Sequence, residues 1–302
     1  MNLKEFNKGI LFSSLGSFWW GAIGVIYFSY FSFIGHIELV IHRCIWTAVM
    51  LIITTQFFSK WNIFFKILKN KKNLLVLFFS GLLIFINWAV WIYAVSSNQV
   101  INASFGYFIM PILSVFLGYF FFKEKLNKKR FVSISLVLVS IVYIFLIDFK
   151  SIPWVGISVA LSWGFYNLLR KKISVSTDIG LFIESLFILP FILIVFYFIT
   201  QNNVNDFSLS NPILMLILMM AGPMTVIPLF LYVRGVELCG LGPTGMIFYI
   251  TPTLQFILGY FLFNEPFNIN QLVSFILIWI AVFIYLRAVS YTHLTLPTIL
   301  LV

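Results

Sequence analysis

Ten runs of about twenty mostly apolar residues pass along this chain, each the length a helix needs to cross the hydrocarbon core of a bilayer. Their approximate limits are 9–31, 38–58, 74–95, 101–122, 131–147, 152–170, 179–199, 213–233, 242–263 and 270–287. The runs are continuous and do not alternate in polarity, which argues against a membrane β-barrel. Only 9% of the 302 residues are charged and 62% are hydrophobic, whereas a soluble domain carries about 25% charged residues. So few charges cannot coat a globule of this size, which excludes a soluble enzyme; a disordered chain would need the opposite balance. The fold class expected is an all-α polytopic membrane protein with ten transmembrane helices. The start, MNLKEFNKG, resembles a signal n-region, but the apolar run that follows is too long and has no small-x-small cleavage site. It reads as an uncleaved first helix.

The formal net charge is +10, and its distribution explains it. With the N-terminus in the cytoplasm, seventeen lysines and arginines fall in inside segments, Lys150 falls outside and Arg43 lies within a span. Basic residues favour the cytoplasmic side and anionic lipid, so the charge points to topology and not to nucleic acid. Both termini are then cytoplasmic, and the localisation expected is the bacterial inner membrane. In the second inside loop Trp61, Phe64, Phe65 and Leu68 repeat at i, i+3, i+4, i+7, the pattern of a short helix lying on the membrane surface; a plain basic loop with aromatic anchors is the alternative.

Residues 109–127 (IMPILSVFLGYFFFKEKLN) and 250–268 (ITPTLQFILGYFLFNEPFN) are identical at ten of nineteen positions at a fixed offset of 141. The matches include Pro111 with Pro252, Gly118 with Gly259, Tyr119 with Tyr260 and Glu124 with Glu265. Trp20-Gly21 and Trp163-Gly164 echo one another at an offset of 143. The chain reads as two five-helix repeats, 1–147 and 152–287. Five is odd, so the copies cross in opposite senses, a recurrent design of secondary transporters. Pro111 and Pro252, near mid-span in the fourth and ninth helices, are candidate helix breaks lining a cavity, or else kinks that serve packing alone.

Charges within spans are few and costly, hence functional candidates. The second span carries Glu38, His42 and Arg43, and the seventh carries Glu184. At the repeat offset Glu184 is the counterpart of Arg43, so a contact between them is one expectation. Snorkelling of the second-span group to the outer interface is the other. Glu38, His42 and Glu184 are the plausible proton carriers. A neutral group comprises Asn87, Trp88, Trp91 and the weaker Tyr93 on the third span, Asn102 and Tyr107 on the fourth, Trp20, Tyr166, Asn167 and Tyr249. Together they could form an aromatic cage suited to an amphipathic or cationic organic solute, or serve as packing and interface belts. Cys44 and Cys239 show no metal or disulfide spacing. Phosphate-loop, nucleophile-elbow and zinc-protease motifs are absent, so no enzymatic activity, cofactor or metal is expected.

Several segments carry a resemblance to the drug/metabolite transporter superfamily, and within it to EamA-type transporters of the RarD subgroup, named for chloramphenicol sensitivity. They are Trp20-Gly21, IELVIHR with Trp46, INWAVWIYAV, NASFGYFIMP with LGYFFFKEKL, YNLLRKK, IGLFIESLFILP and ITP…LGYFLFNEPF. The His42-Arg43 pair, Asn87-Trp88, Gly106-Tyr107-Phe108 with Pro111, and Leu169-Arg170-Lys171-Lys172 are the more specific features. The resemblance, from about residue 5 to 287, implies ten helices, inverted repeats, a central cavity and export of small metabolites or drugs. Where the family often has Gly-Glu before the basic loop, this chain has Lys123-Glu124. The stretch YTHLTLPTILLV within the 290–302 tail resembles translated sequencing-adapter read-through and is assigned no function. The function expected is export of a small organic solute by alternating access, driven by protons or exchange. The alternatives are a membrane-embedded lipid-handling protein or enzyme, and a passive channel. The solute, the coupling ion and the oligomeric state are not legible.

Overall fold

The computed structural model describes residues 3–123, 127–147, 153–202 and 205–295, and every regular element among them is helical. In lipid only a helix or a closed barrel satisfies every backbone N–H and C=O, and apolar runs of this length choose the helix. The long helices are α1 (Leu3–Tyr30), α2 (His36–Phe57), α3 (Lys71–Ser96), α4 (Val100–Phe122) and α5 (Lys128–Ile147), followed by α6 (Trp154–Arg170), α7 (Thr177–Gln201), α8 (Pro212–Cys239), α9 (Pro243–Leu262) and α10 (Ile269–Thr295). Among the described residues eight of them, all but α6 and α10, are long and apolar enough to cross a membrane. α6 has 17 residues, and the apolar part of α10 described as such is Ile269–Tyr285. Phe57, Phe120, Leu146 and Phe261 are among the many large apolar side chains left exposed. A soluble monomer does not carry such a surface, so this rind faces lipid.

The helices pack in matched pairs. α1 lies on α8 as α6 lies on α3, α2 on α8 as α7 on α3, and α4 on α6 as α9 on α1; α2 meets α7, α4 meets α9 and α5 meets α10. Glycines set the closest approaches, as is usual where helix association depends on packing in place of water exclusion. A Cβ on Gly81 would lie 3.2 Å from the Glu184 carbonyl oxygen, and one on Gly222, at the repeat offset of 141, would lie 2.2 Å from that of Trp46. At the α5–α10 contact, Ser140 Oγ donates to the Ser274 carbonyl (2.9 Å) and Ser274 Oγ to the Ser140 carbonyl (3.4 Å). One apolar core surrounds the centre of the molecule, and a second fills the space where α4, α5, α9 and α10 meet.

Two expectations about helix breaks need correction. Pro111 lies inside an unbroken α4 and interrupts nothing. α9 does break, but at the Phe248–Tyr249 turn, with Pro252 in the first turn of the segment that follows. A proline there loses no hydrogen bond, because the first N–H groups of a helix have no intrahelical partner. The irregularities not foreseen are π-turns at Trp19–Ile23 in α1 and Leu258–Leu262 at the end of α9. The short helix Trp61–Leu68 is present, but it packs inward: Phe64 and Ile67 are buried, with Phe64 stacked on Phe182 of α7 at 4.9 Å. Phe65 and Leu68 are exposed, and Lys60 at its start pairs with Asp178. Glu124, of the repeat comparison, and residues 296–302 of the tail lie outside the described residues, and α10 runs on to Thr295.

One close glycine-to-backbone contact yields a test. A Cβ on Gly106 of α4 would sit 2.2 Å from the Gly156 carbonyl oxygen of α6. Overpacking of this kind costs about 1–3 kcal/mol. Gly106→Ala is therefore expected to lower the melting temperature of the detergent-solubilised protein, whereas Gly245→Ala, which meets open space, should not.

Candidate functional site

α1, α2, α3, α6, α7, α8 and α9 enclose a chamber near the centre of the molecule. Its walls are Trp20 and Phe28 from α1, Arg43 from α2, Asn87, Trp88 and Trp91 from α3, Trp163 and Tyr166 from α6, and Phe248 from α9, with Tyr107 of α4 at the side. Its volume is about 70 Å³. Through Trp20, Trp163, Tyr166 and Phe248, which line both, the chamber continues into a wider vestibule of about 600 Å³. Asn167, Arg170 and Lys171 line the vestibule. The rings follow the paired packing: Trp20 lies 6.3 Å from Phe248, Trp163 lies 6.5 Å from Tyr107, and Tyr107 and Phe248 are 6.3 Å apart.

Arg43 is the charged group of the inner chamber. It sits seven residues into α2, about 10 Å along the axis, and is 92% buried, its relative exposure being 8%. It does not snorkel. Its guanidinium carbon lies 4.8 Å from the ring centre of Trp88, 5.1 Å from Trp91 and 5.3 Å from Phe28. Nε and Nη1 have no hydrogen-bond partner. Cation–π contacts are worth about 0.5–2 kcal/mol each, which offsets much of the roughly 2.5–3.5 kcal/mol that a charge costs at a helix centre. The rings expected to receive a cationic solute therefore already face a cation of the protein's own.

The expected Arg43–Glu184 contact does not form. Glu184 is fully buried and accepts hydrogen bonds from Ser80 (2.5 Å) and Tyr166 (3.2 Å), with Arg170 Nε at 3.6 Å. Arg170 also donates to the carbonyls of Val175 and Ser176, folding over α7 at Gly180, where a Cβ would strike the guanidinium at 2.1 Å. Arg170 belongs to the basic run at the end of α6, so sequence reading assigned it to topology. Its pairing with Glu184 depends on a chain reversal that no pattern announces.

Glu38 and His42 stand apart from both cavities. The Glu38 carboxylate accepts the backbone N–H groups of Asp206 (2.9 Å) and Phe207 (3.1 Å) in the α7–α8 connection. Trp46 Nε1 donates to His42 Nδ1 at 3.3 Å, which leaves the Nε2 proton facing Glu38 at 3.4 Å. The His42 ring lies 4.8 Å from Phe207. A matching clip joins the other half at the same end of the bundle. Glu265 accepts from the N–H groups of Val100 (2.6 Å) and Ile101 (2.7 Å), the first turn of α4. Burial raises the Glu265 carboxyl above the usual range, against these two bonds. Glu265 was read only as a repeat marker and not as an anchor.

The neutral group divides. Asn87 donates to the Val159 carbonyl and to Ser162, both at 3.2 Å, and Tyr107 donates to Asn87 Oδ1 at 3.4 Å. Tyr249 does not reach the chamber; it lies in the second core, stacked on Phe108, and its neighbour Phe248 takes the wall. The break between the two α9 segments shifts the facing residue by one. Asn102 packs its backbone against Gly156, and Tyr93 meets His36 and Trp154, so neither lines the chamber. Among the described residues no three His, Cys, Asp or Glu side chains gather as metal ligands.

An apolar rind around long helices and a walled interior cavity define a polytopic helical membrane protein of the kind that carries solutes. The chain belongs to the EamA-like transporter family, whose model matches twice, over residues 7–146 and 150–287. It is 33% identical to the uncharacterized transporter YojE of Bacillus subtilis, over 94% of this chain and 95% of that one. An uncharacterized transporter of Vibrio cholerae is also 33% identical, over 93% of each chain. The protein RarD of Salmonella typhi is 30% identical over 97% of this chain and 99% of its own.

Removing one partner of a buried ion pair leaves an uncompensated charge and costs about 3–5 kcal/mol. Arg170→Met alone is expected to lower thermal stability and membrane abundance, and Arg170→Met with Glu184→Gln to recover most of the loss. Equal melting temperatures for the single and double variants would show that Arg170 does not neutralise Glu184.

Proposed function

We propose that this protein is a secondary transporter of the bacterial inner membrane that exports small organic solutes by alternating access. The observation that carries the reading is the chamber itself. It lies where helices of both halves meet, with Arg43 lining its inner part and Arg170 and Lys171 lining the vestibule, which we take as the open side. Ten helices cross the membrane in this reading, as two inverted five-helix repeats. The offset of 141, the exchange-related packing and the two successive family matches support it. The lysine and arginine distribution supports cytoplasmic termini and makes the open end the cytoplasmic one. The structure is then the inward-open state, the one from which an exporter loads.

The opposite end is shut by two carboxylates of opposite halves, Glu38 on the α7–α8 connection and Glu265 on α4. A sealed end supports a carrier over an open channel. Opening outward breaks four charge-assisted hydrogen bonds to backbone N–H groups, which water can replace at the surface. Rocking of the halves, as inverted repeats allow, moves the seal to the Arg170 end. Glu38 and His42, hydrogen-bonded within that seal, are the groups placed to couple a proton to it.

Two measurements test this. Cells making the protein are expected to enrich small aromatic solutes in the medium relative to cells without it, and an uncoupler is expected to abolish the difference if protons drive export. Solute depletion from the medium would reverse the direction. Second, Glu38→Ala with Glu265→Ala is expected to increase labelling of a Phe28→Cys reporter by an impermeant maleimide added outside. Unchanged labelling would remove the two carboxylates from the seal.

A further inference from the structure

The chamber holds a charge with an unfilled valence. Arg43 Nε and Nη1 lack hydrogen-bond partners although the residue is 92% buried, and it makes no ion pair among the described residues. A guanidinium carries five N–H donors, and donors left unmade at such depth are expensive. The aromatic faces of Trp88, Trp91 and Phe28 balance the charge but accept no conventional hydrogen bond. Glu184, the acid that could have neutralised Arg43, is committed to Arg170, Ser80 and Tyr166. No acidic side chain lines the chamber or the vestibule among the described residues, and the vestibule carries two further cationic residues, Arg170 and Lys171.

We propose that Arg43 is the anchor for an anionic group of the transported solute, and that the substrate class is small aromatic or apolar molecules bearing a carboxylate. The planar fork of arginine pairs with a carboxylate through two parallel hydrogen bonds. The inner chamber is small enough to enclose such a head group, and the rings of Trp20, Trp163, Tyr107 and Phe248 line the way from it into the vestibule, where an apolar body lies. Solutes of the same shape that carry an amine instead meet the Arg43 cation and, among the described residues, no acid lining either cavity, so they are rejected by charge and not by fit. This substrate class rests on the reading of the protein as an exporter, but the anion site is testable apart from it.

The probes are 3-phenylpropanoate, 3-phenylpropan-1-ol and 3-phenylpropylamine, which share a ring and a chain length and differ in head group. Binding to the purified full-length protein is followed by quenching of tryptophan fluorescence, since four tryptophans line the chamber. The acid is expected to bind at least tenfold more tightly than the alcohol or the amine. Arg43→Gln should erase the preference, Arg43→Lys should retain part of it, and both should be compared at matched melting temperature. Equal binding of acid and amine by the wild type, or an acid preference that survives Arg43→Gln, overturns the anion site. Counterflow of the same three compounds in proteoliposomes separates this from the transport reading. Counterflow of the amine in preference to the acid also overturns the anion site but leaves transport standing, whereas tight acid binding without counterflow of any probe upholds the site and removes transport.

Discussion

A guanidinium kept within the bundle with no carboxylate beside it is the feature around which this molecule is arranged. Arg43 is tolerable at that depth because three aromatic faces surround it, and those faces are held in place by α1 and α3. A carboxylate nearby would have satisfied the charge permanently and closed the site. Glu184 is kept away by being satisfied elsewhere: Arg170 leans across α7 at Gly180, and Ser80 and Tyr166 donate to the same carboxylate. The two buried charges of opposite sign are thus separated by two distinct sets of contacts. One charge is neutralised by the protein, and the other is left to be met by something else.

The empty space depends on where helices touch and where they are held apart. Glycine contacts bring backbones together where Gly81 of α3 meets α7, Gly222 of α8 meets α2, Gly106 of α4 meets α6 and Gly21 of α1 meets α9. Between these points bulky rings (Trp20, Trp88, Trp163, Tyr107 and Phe248) keep the helices apart. Close approach at the glycines and large rings at the cavity wall together leave room in the interior that ordinary packing density would fill. The π-turn at Trp19–Ile23 contributes by placing Trp20 on the wall and Gly21 against Thr251. Irregular turns of this kind occur often at functional positions in helices.

The sequence made the helices legible because an apolar run of fixed length has one solution in lipid; most of the expected runs end within about three residues of an observed helix, while α1, α8 and α10 extend further than their apolar runs. Of the residues it singled out, Arg43, Asn87, Trp88, Trp91, Tyr107, Trp20 and Tyr166 line the chamber. What it could not disclose was pairing. The symmetry that matched Arg43 with Glu184 relates positions and does not create contacts, and the true partner of Glu184 came from a basic run explained well enough by topology. The Tyr249 error has a local cause. The break in α9 falls at the Phe248–Tyr249 turn, and one residue of rotation is about 100°, enough to exchange a cavity wall for a packed core. Pro111 and Pro252 look alike in sequence, but the first sits in mid-helix and the second in a first turn, where its missing N–H is of no consequence.

The contacts that hold the bundle differ in kind between its ends, and the difference bears on which parts can move. Along the helices the halves are joined by glycine-to-backbone approaches, which depend on tight packing and have no substitute once separated. At the Glu38 end the closure rests on two carboxylates accepting backbone N–H groups of connections and helix starts. Those bonds exchange readily for water, because every group involved is as well solvated outside as inside. A joint made of packing resists and a joint made of such bonds yields, so in the transport cycle proposed above the Glu38 end opens while the glycine contacts act as the pivot. In that cycle a group held at Arg43 sits between the Glu38 closure and the vestibule.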